Sequence, residues 1–207
     1  MSVKVYVEGG GDTNHALRAQ CRQAFAEFFG KAGLRGRLPR VVASGSRKNA
    51  YDRFRSALGS GKPSETPLLV VDSEAPVAND GGPWEHLANR EGDRWERPAA
   101  ATDEQAHLMV QCMEAWFLAD QACLKTYYGA GFRSSALRAW ISVENIPRAD
   151  VITTLRAATC DCPTKGEYSK GQHSFAILGQ IDPAKVRAAS PHAERLLNTL
   201  DRLCGSE

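Results

Sequence analysis

No stretch of this chain approaches the roughly 20 consecutive apolar residues that a membrane-spanning helix needs, so no membrane location is expected. The first residues, MSVKVYVEGG, pass directly into a β-rich segment without an apolar region of secretory-signal length, which points to a cytoplasmic protein. A large excess of charge is missing too. The 26 Lys and Arg against 24 Asp and Glu leave a formal net charge of +2, too little for a protein that coats nucleic acid by charge alone. A clustered basic face would still allow a nucleic-acid partner. Internal repeats and low-complexity tracts are absent. The six cysteines have neither framework spacing nor a secretory context, so they read as reduced thiols. Cys160-Asp161-Cys162 lacks the second ligand pair that a structural zinc site requires.

What is present is ordinary globular composition: 207 residues, 43% hydrophobic and 24% charged, enough for one sizeable domain or one domain with a helical appendage. Residues 3–7 predict a strand that stops at Glu8-Gly9-Gly10-Gly11-Asp12. Leu17, Cys21, Ala24, Phe25, Phe28 and Phe29 then recur at helical spacing, with Asp12 or Thr13 as the cap and Gly30 and Gly33 at the end. Residues 38–43 predict a second strand, and Ser46 opens a second helix to about Leu58. Residues 67–72 are a continuous apolar run, the pattern of a strand covered on both faces. Strand, helix, strand, helix, strand is the order of a parallel sheet.

The stretch from Glu74 to Thr102 predicts a long loop with one short helix near 83–88. A fourth strand is expected at 107–113 and a helix at 114–120. Beyond Gly129 the pattern is mainly helical, with helices at 149–158, 173–178 and 191–203. The expected architecture is an α/β domain over residues 1–128, a parallel sheet of about four strands flanked by helices. Residues 129–207 would form a helical extension packed on the same domain.

In a parallel sheet, residues just past the carboxyl ends of neighbouring strands converge on one crevice. Glu8 ends the first strand; Asp72 and Glu74 end the third. Carboxylates gathered there repel one another, and a hard divalent cation relieves the repulsion. Glycines 9 to 11 let backbone approach a phosphate, and the following helix would aim its N–H groups at the same place. The combination suits phosphoryl transfer or phosphodiester cleavage. The absence of Lys-Ser/Thr after the glycines excludes a phosphate-binding P-loop.

Taken singly, these residues have plainer explanations. A glycine-rich turn can carry a solvated carboxylate, and Asp72 can be a helix cap; both together, in this topological order, favour a site. Glu114, in an apolar stretch, either contributes to the crevice or forms a structural ion pair. Arg47 and Lys48 at a helix start either meet phosphates or are surface charges. Lys165, Tyr168, Lys170 and His173 suit a phosphate and a stacked base, and equally an ordinary helix start. Phe25, Phe28, Trp116 and Phe117 are expected in the core.

VYVEGGGDT at residues 5–13 and LLVVDSE at 68–74 resemble the Toprim pattern, a strand-terminal Glu-Gly followed by an Asp-x-Asp pair after a later strand. The likeness continues through QCMEAWFLAD at 111–120 and KGEYSK at 165–170, so it covers most of the chain. It is closest to small bacterial Toprim-like proteins associated with phage defence beside an ATPase of the chromosome-maintenance type. The resemblance implies a Toprim-like, Rossmannoid fold and a magnesium site, with manganese as a substitute. It assigns acid/base work to Glu8 and magnesium binding to Asp72 with Glu74; taken with the reading of the residues themselves, the candidate catalytic residues are Glu8, Asp72 and Glu114 and the candidate metal ligands Glu8, Asp72 and Glu74. Gly9, Gly10, Asp12, Arg47, Lys48, Lys165, Lys170 and His173 become the candidate substrate contacts. Glu74 departs from the usual Asp and reaches one methylene further, which displaces the metal or leaves it an extra water.

The implied function is a magnesium-dependent nuclease or related phosphoryl-transfer enzyme, the effector of an ATPase-linked defence system acting on nucleic acid. Two alternatives stand beside it: a catalytically inactive docking or sensing subunit of an ATPase partner, and a phosphatase or nucleotide hydrolase. Oligomeric state and the choice of DNA or RNA are left open by the sequence.

Overall fold

Four parallel strands, β1 (Ser2–Val7), β2 (Arg40–Ala43), β3 (Glu65–Asp72) and β4 (Ala106–Met109), form one sheet in the order β2-β1-β3-β4. The computed structural model describes residues 2–61, 64–78 and 82–205. Val7 pairs with Ala43 on one side and Val70 on the other, so the carboxyl ends of the strands finish at one edge.

The unbroken apolar run of β3 is explained by what covers it. Leu68 and Val70 join a core with Val5, Val7, Phe25, Phe28 and Trp116. Leu69 and Val71 face the other way, toward Tyr6, Tyr51, Phe54 and Trp84. The sheet is therefore the middle of three layers, with α1 (His15–Phe29) on the first face and α2 (Arg47–Gly59) and α3 (Pro83–Asn89) on the second. The cap of α1 differs from expectation: Asn14, not Asp12 or Thr13, accepts the Leu17 N–H at 2.9 Å. Ser46 caps α2 as expected.

The carboxyl half is α4 (Ala115–Ala119), α5 (Gln121–Tyr128), α6 (Arg148–Thr159), α7 (Lys170–Leu178), α8 (Pro183–Ala189) and α9 (Pro191–Gly205). Leu124, Val151, Ile177, Val186 and Leu200 from these helices lie in the same apolar cluster as Phe25 of α1 and Val5 of β1. The α/β class, the parallel four-stranded sheet and the mainly helical carboxyl half thus agree with the sequence pattern. β4 is shorter than expected. It ends at Met109 because the chain turns at Gln111, whose φ of 60° leaves the extended region while its N–H bonds Ser73 Oγ at 2.6 Å. Helices α5 and α8 fall in segments for which no helix was expected; α8 starts at Pro183 with Asp182 capping the Ala184 N–H at 2.9 Å. No helix among the described residues is long and apolar enough to cross a membrane.

Candidate functional site

The chain leaves β1 toward α1 on one face of the sheet and leaves β3 toward α3 on the other. The carboxyl edge between these two neighbouring strands is therefore a topological switch point, where a crevice opens. Strand alternation alone would send Glu8 to the Tyr6 face and Asp72 to the Val70 face. Glu8 lies past the last residue of β1, however, and its side chain crosses the end of the sheet, so that Oε2 accepts the Asp72 backbone N–H at 3.2 Å. Glu74 joins them from a left-handed conformation, φ 63°, with its N–H on the Gln111 carbonyl at 3.1 Å. One carboxylate oxygen from each of Glu8, Asp72 and Glu74 lies within 4.8 Å of the others. An all-oxygen donor set at this spacing fits a hard divalent cation such as magnesium or manganese.

Each of these carboxylates also faces a cation of the chain itself. Arg47 Nη1 is 3.4 Å from Glu8 Oε2, Lys170 Nζ is 3.7 Å from Asp72 Oδ2, and Arg148 Nη1 pairs with Glu74 Oε2. Asp72 is only 3% exposed, and its Oδ1 accepts the Met113 N–H at 2.8 Å. Burial, and then the charges of Glu8 and Glu114, push its carboxyl up to about 7 against the opposing pull of Lys170. Burial likewise raises Glu8, opposed by Arg47 and the Asp72 N–H. Burial alone would lower Lys170; Asp72 and Glu114 outweigh it and hold the ammonium above its usual range.

A cleft of about 230 Å³ opens beside the carboxylates, lined among others by Glu8, Gly9, Gly10, Asp72, Lys170, Gly171 and Phe175. Gly10, at φ 85°, packs so closely that a Cβ would stand 2.9 Å from Arg18 Cα, so the turn requires glycine there. Gly9 does not offer its N–H to a ligand: it exchanges backbone hydrogen bonds with Gly45 at 2.7 and 2.8 Å. The helix whose first residues line the cleft is α7, which opens at Lys170 and Gly171; α1 contributes only the Leu17 side chain.

Glu114 is fully buried and sits behind Lys170 outside the cleft lining. Its Oε2 is 3.4 Å from Lys170 Nζ and has no hydrogen-bond donor among the described residues. Its Oε1 lies 3.3 Å from the Tyr168 hydroxyl and 3.2 Å from Ser174 Oγ, and those two hydroxyls are 2.7 Å apart. Glu114 therefore positions Lys170.

Other expected contacts lie elsewhere. Asp12 Oδ1 accepts the Ser46 N–H at 2.9 Å and Asn49 Nδ2 at 2.8 Å, which hold its carboxyl below the usual range and spend it on the start of α2. Lys48 is exposed and pairs with Asp52 one turn along the helix. Lys165 Nζ stands 4.3 Å over the Tyr127 ring. His173 is buried, and both ring nitrogens are internal: Nδ1 accepts the Ser169 N–H at 2.9 Å and Nε2 donates to the Lys165 carbonyl at 3.1 Å. It clamps the loop before Lys170 rather than facing the cleft. Arg47 does reach the crevice wall, through Glu8 and the Asp72 carbonyl, while Nη2 binds Asp93.

Arg148 beside Glu74 and Asp93 beside Arg47 left no signal in the sequence, because both partners come from distant loops and helix ends. Ser174 was detectable: it follows Lys170 by four residues, the spacing of neighbours on one helix face. A family model described as "Domain of unknown function (DUF4276)" matches residues 7–201. No curated protein and no solved structure matches the chain.

Proposed function

The chain belongs to the DUF4276 family, and from the chemistry of its crevice we propose a divalent-cation-dependent phosphoryl-transfer enzyme of Toprim type, a nuclease or a close relative. One observation carries this: Glu8, Asp72 and Glu74 converge within 4.8 Å at the switch point, beside a glycine-lined cleft with a lysine on its wall. Magnesium, or manganese in its place, would be held by these three carboxylates and would supply Lewis acidity at a phosphate oxygen.

The chain's own residues do the rest. Glu8 orients the attacking hydroxyl or water and takes its proton, a role suited to a carboxylate raised by burial. Lys170, its side chain 52% exposed, turns its ammonium to a phosphate oxygen, while Glu114 faces that ammonium from behind and Ser174 Oγ donates to the Lys170 backbone carbonyl. Gly10 lets the turn that lines the cleft pack against α1. Lys170 and Arg148, which pair with Asp72 and Glu74, would give up those carboxylates to a bound cation. A nucleic-acid substrate and an ATPase partner in phage defence follow from the Toprim resemblance. The six free thiols support a reducing, cytoplasmic setting.

A second reading, a catalytically silent docking subunit of an ATPase, is favoured by the three ion pairs, which balance the carboxylates without a metal. Calorimetry separates the two. Magnesium or manganese binding by the wild type that Asp72→Asn abolishes supports the enzyme and warrants a screen of RNA, DNA and small phosphate esters. No binding, even with nucleic acid present, sinks the enzyme reading and leaves the docking subunit.

A further inference from the structure

Arg47, Tyr51 and Arg55 follow one another at four-residue steps on α2 and so share one face of that helix. Against this face lies Trp95 from the loop after α3. The four side chains form a continuous ladder. The Arg47 guanidinium is 5.1 Å over the Trp95 ring, Trp95 stacks on Tyr51 at 4.4 Å with an interplanar angle of 2°, and the Arg55 guanidinium is 5.4 Å over Tyr51. The Tyr51 hydroxyl donates to the Glu96 carbonyl at 2.6 Å and fixes the loop to the helix. One end of the ladder touches Glu8 in the carboxylate crevice. The other opens into a groove of about 780 Å³ whose walls carry Arg55, Arg94 and Arg97 and a single acidic side chain, Glu96.

Arg55 and Arg94 have no ion pair among the described residues. Arg94 is exposed and has a left-handed backbone, φ 49°, a conformation uncommon for a residue other than glycine. The two rings are buried, so they serve as the floor that spaces the guanidinium groups and leave no face for a base. Arg47 is held by Glu8 and Asp93, and Arg97 by Asp103, so what remains for a ligand is the positive charge of Arg55 and Arg94, set along the helix from the crevice. Arg47 to Arg55 covers eight helical residues, about 12 Å at 1.5 Å each. That is about three to four nucleotides at roughly 3.4 Å along one strand, well beyond the reach of a single phosphate ester.

We propose that this groove is a nucleic-acid track, which grips the backbone of a strand, without reading its bases, and leads one phosphate into the carboxylate crevice. The inference rests on the crevice being a phosphoryl-transfer site, and it specifies a polymer as the substrate class.

The test is fluorescence anisotropy with an end-labelled single-stranded oligonucleotide, in chelator, so that metal loading plays no part. The wild type is compared with the double variant Arg55→Glu/Arg94→Glu, with Arg55→Ala/Arg94→Ala as a milder pair, and with Arg156→Glu as a remote control. Losing two phosphate contacts should weaken binding tenfold or more and flatten the slope of log affinity against log salt by about 1.4, roughly 0.7 for each contact. Arg156→Glu should bind as the wild type does, and magnesium calorimetry of the double variants should be unchanged. Wild type that binds no oligonucleotide overturns the track, and so do double variants with unchanged affinity and salt slope. If Asp72→Asn loses metal while the arginine variants still bind oligonucleotide normally, the track fails and the metal site stands. If no metal binds but oligonucleotide binding depends on the arginines, the phosphoryl-transfer reading fails and the track stands.

Discussion

The ammonium of Lys170 stands 3.7 Å from Oδ2 of Asp72, on an oxygen that a divalent ion would also claim. Two charges at about 4 Å interact by about 4 kcal/mol at an effective dielectric constant of 20. Lys170 is 52% exposed, so screening leaves a fraction of that, on the order of 1 kcal/mol. Lys170→Met should therefore tighten magnesium binding about fivefold to tenfold, measured by calorimetry well above the Asp72 pKa, while weakening binding of a phosphate ester. Metal affinity that falls in this variant would show Lys170 assisting the ion instead of competing with it.

The raised carboxyl of Asp72 sets a pH dependence with a definite sign. Its folded pKa, about 7, lies above the unfolded value of about 3.9. Its contribution to stability is thus complete below the unfolded pKa and is lost as pH rises through about 7. Metal binding runs the opposite way, since the ligand must be ionised. Apparent affinity should rise about tenfold per unit below pH 7 and level off above it, with about one proton released per ion in buffers of differing ionisation enthalpy. A flat profile would mean that Asp72 is already ionised in the free protein.

Glu114→Gln keeps the shape of a fully buried side chain and an oxygen for Tyr168 and Ser174, but removes the charge opposite Lys170. Chemical denaturation should report a loss of about 1–3 kcal/mol. Metal binding should persist, because Glu114 lies outside the three-carboxylate set. Loss of metal with unchanged stability would move Glu114 from positioning into coordination.

His173→Ala deletes both hydrogen bonds that tie Ser169 and Lys165 together. The expected cost is about 1–3 kcal/mol, together with faster amide exchange across 165–170 and weaker phosphate binding. Burial holds the His173 pKa below its usual value, so its contribution to stability is present above the unfolded pKa and lost as pH falls through the lower folded one. Exchange rates in this loop equal to those of the wild type would leave the clamp without a role.

The strands and the site acids were legible in the sequence because their causes are local. An apolar run without alternation in β3 announces a strand covered on both sides, and the glycines after Glu8 mark where β1 must stop. The order of elements placed Glu8 and Asp72 at one edge of a parallel sheet, since Glu8 follows β1 directly and Asp72 is the last residue of β3. Helix α5 was hidden because it is only eight residues long and buries just Leu124 and Tyr128, too few positions to show a helical period.

The sequence by itself determined the α/β class, the parallel sheet and the acids at its carboxyl edge, because hydrophobic period and strand-end position depend on neighbours in the chain. Only the tertiary structure decided which cation meets which acid. Lys170 reaches Asp72, Arg148 reaches Glu74 and Arg47 meets Glu8 across 98, 74 and 39 residues, and such pairs are fixed by how helices dock, which leaves no periodic trace. Docking also buried His173, since a buried polar group is stable only where it finds its hydrogen-bond partners, and it joined the exposed Asp12 to the start of α2.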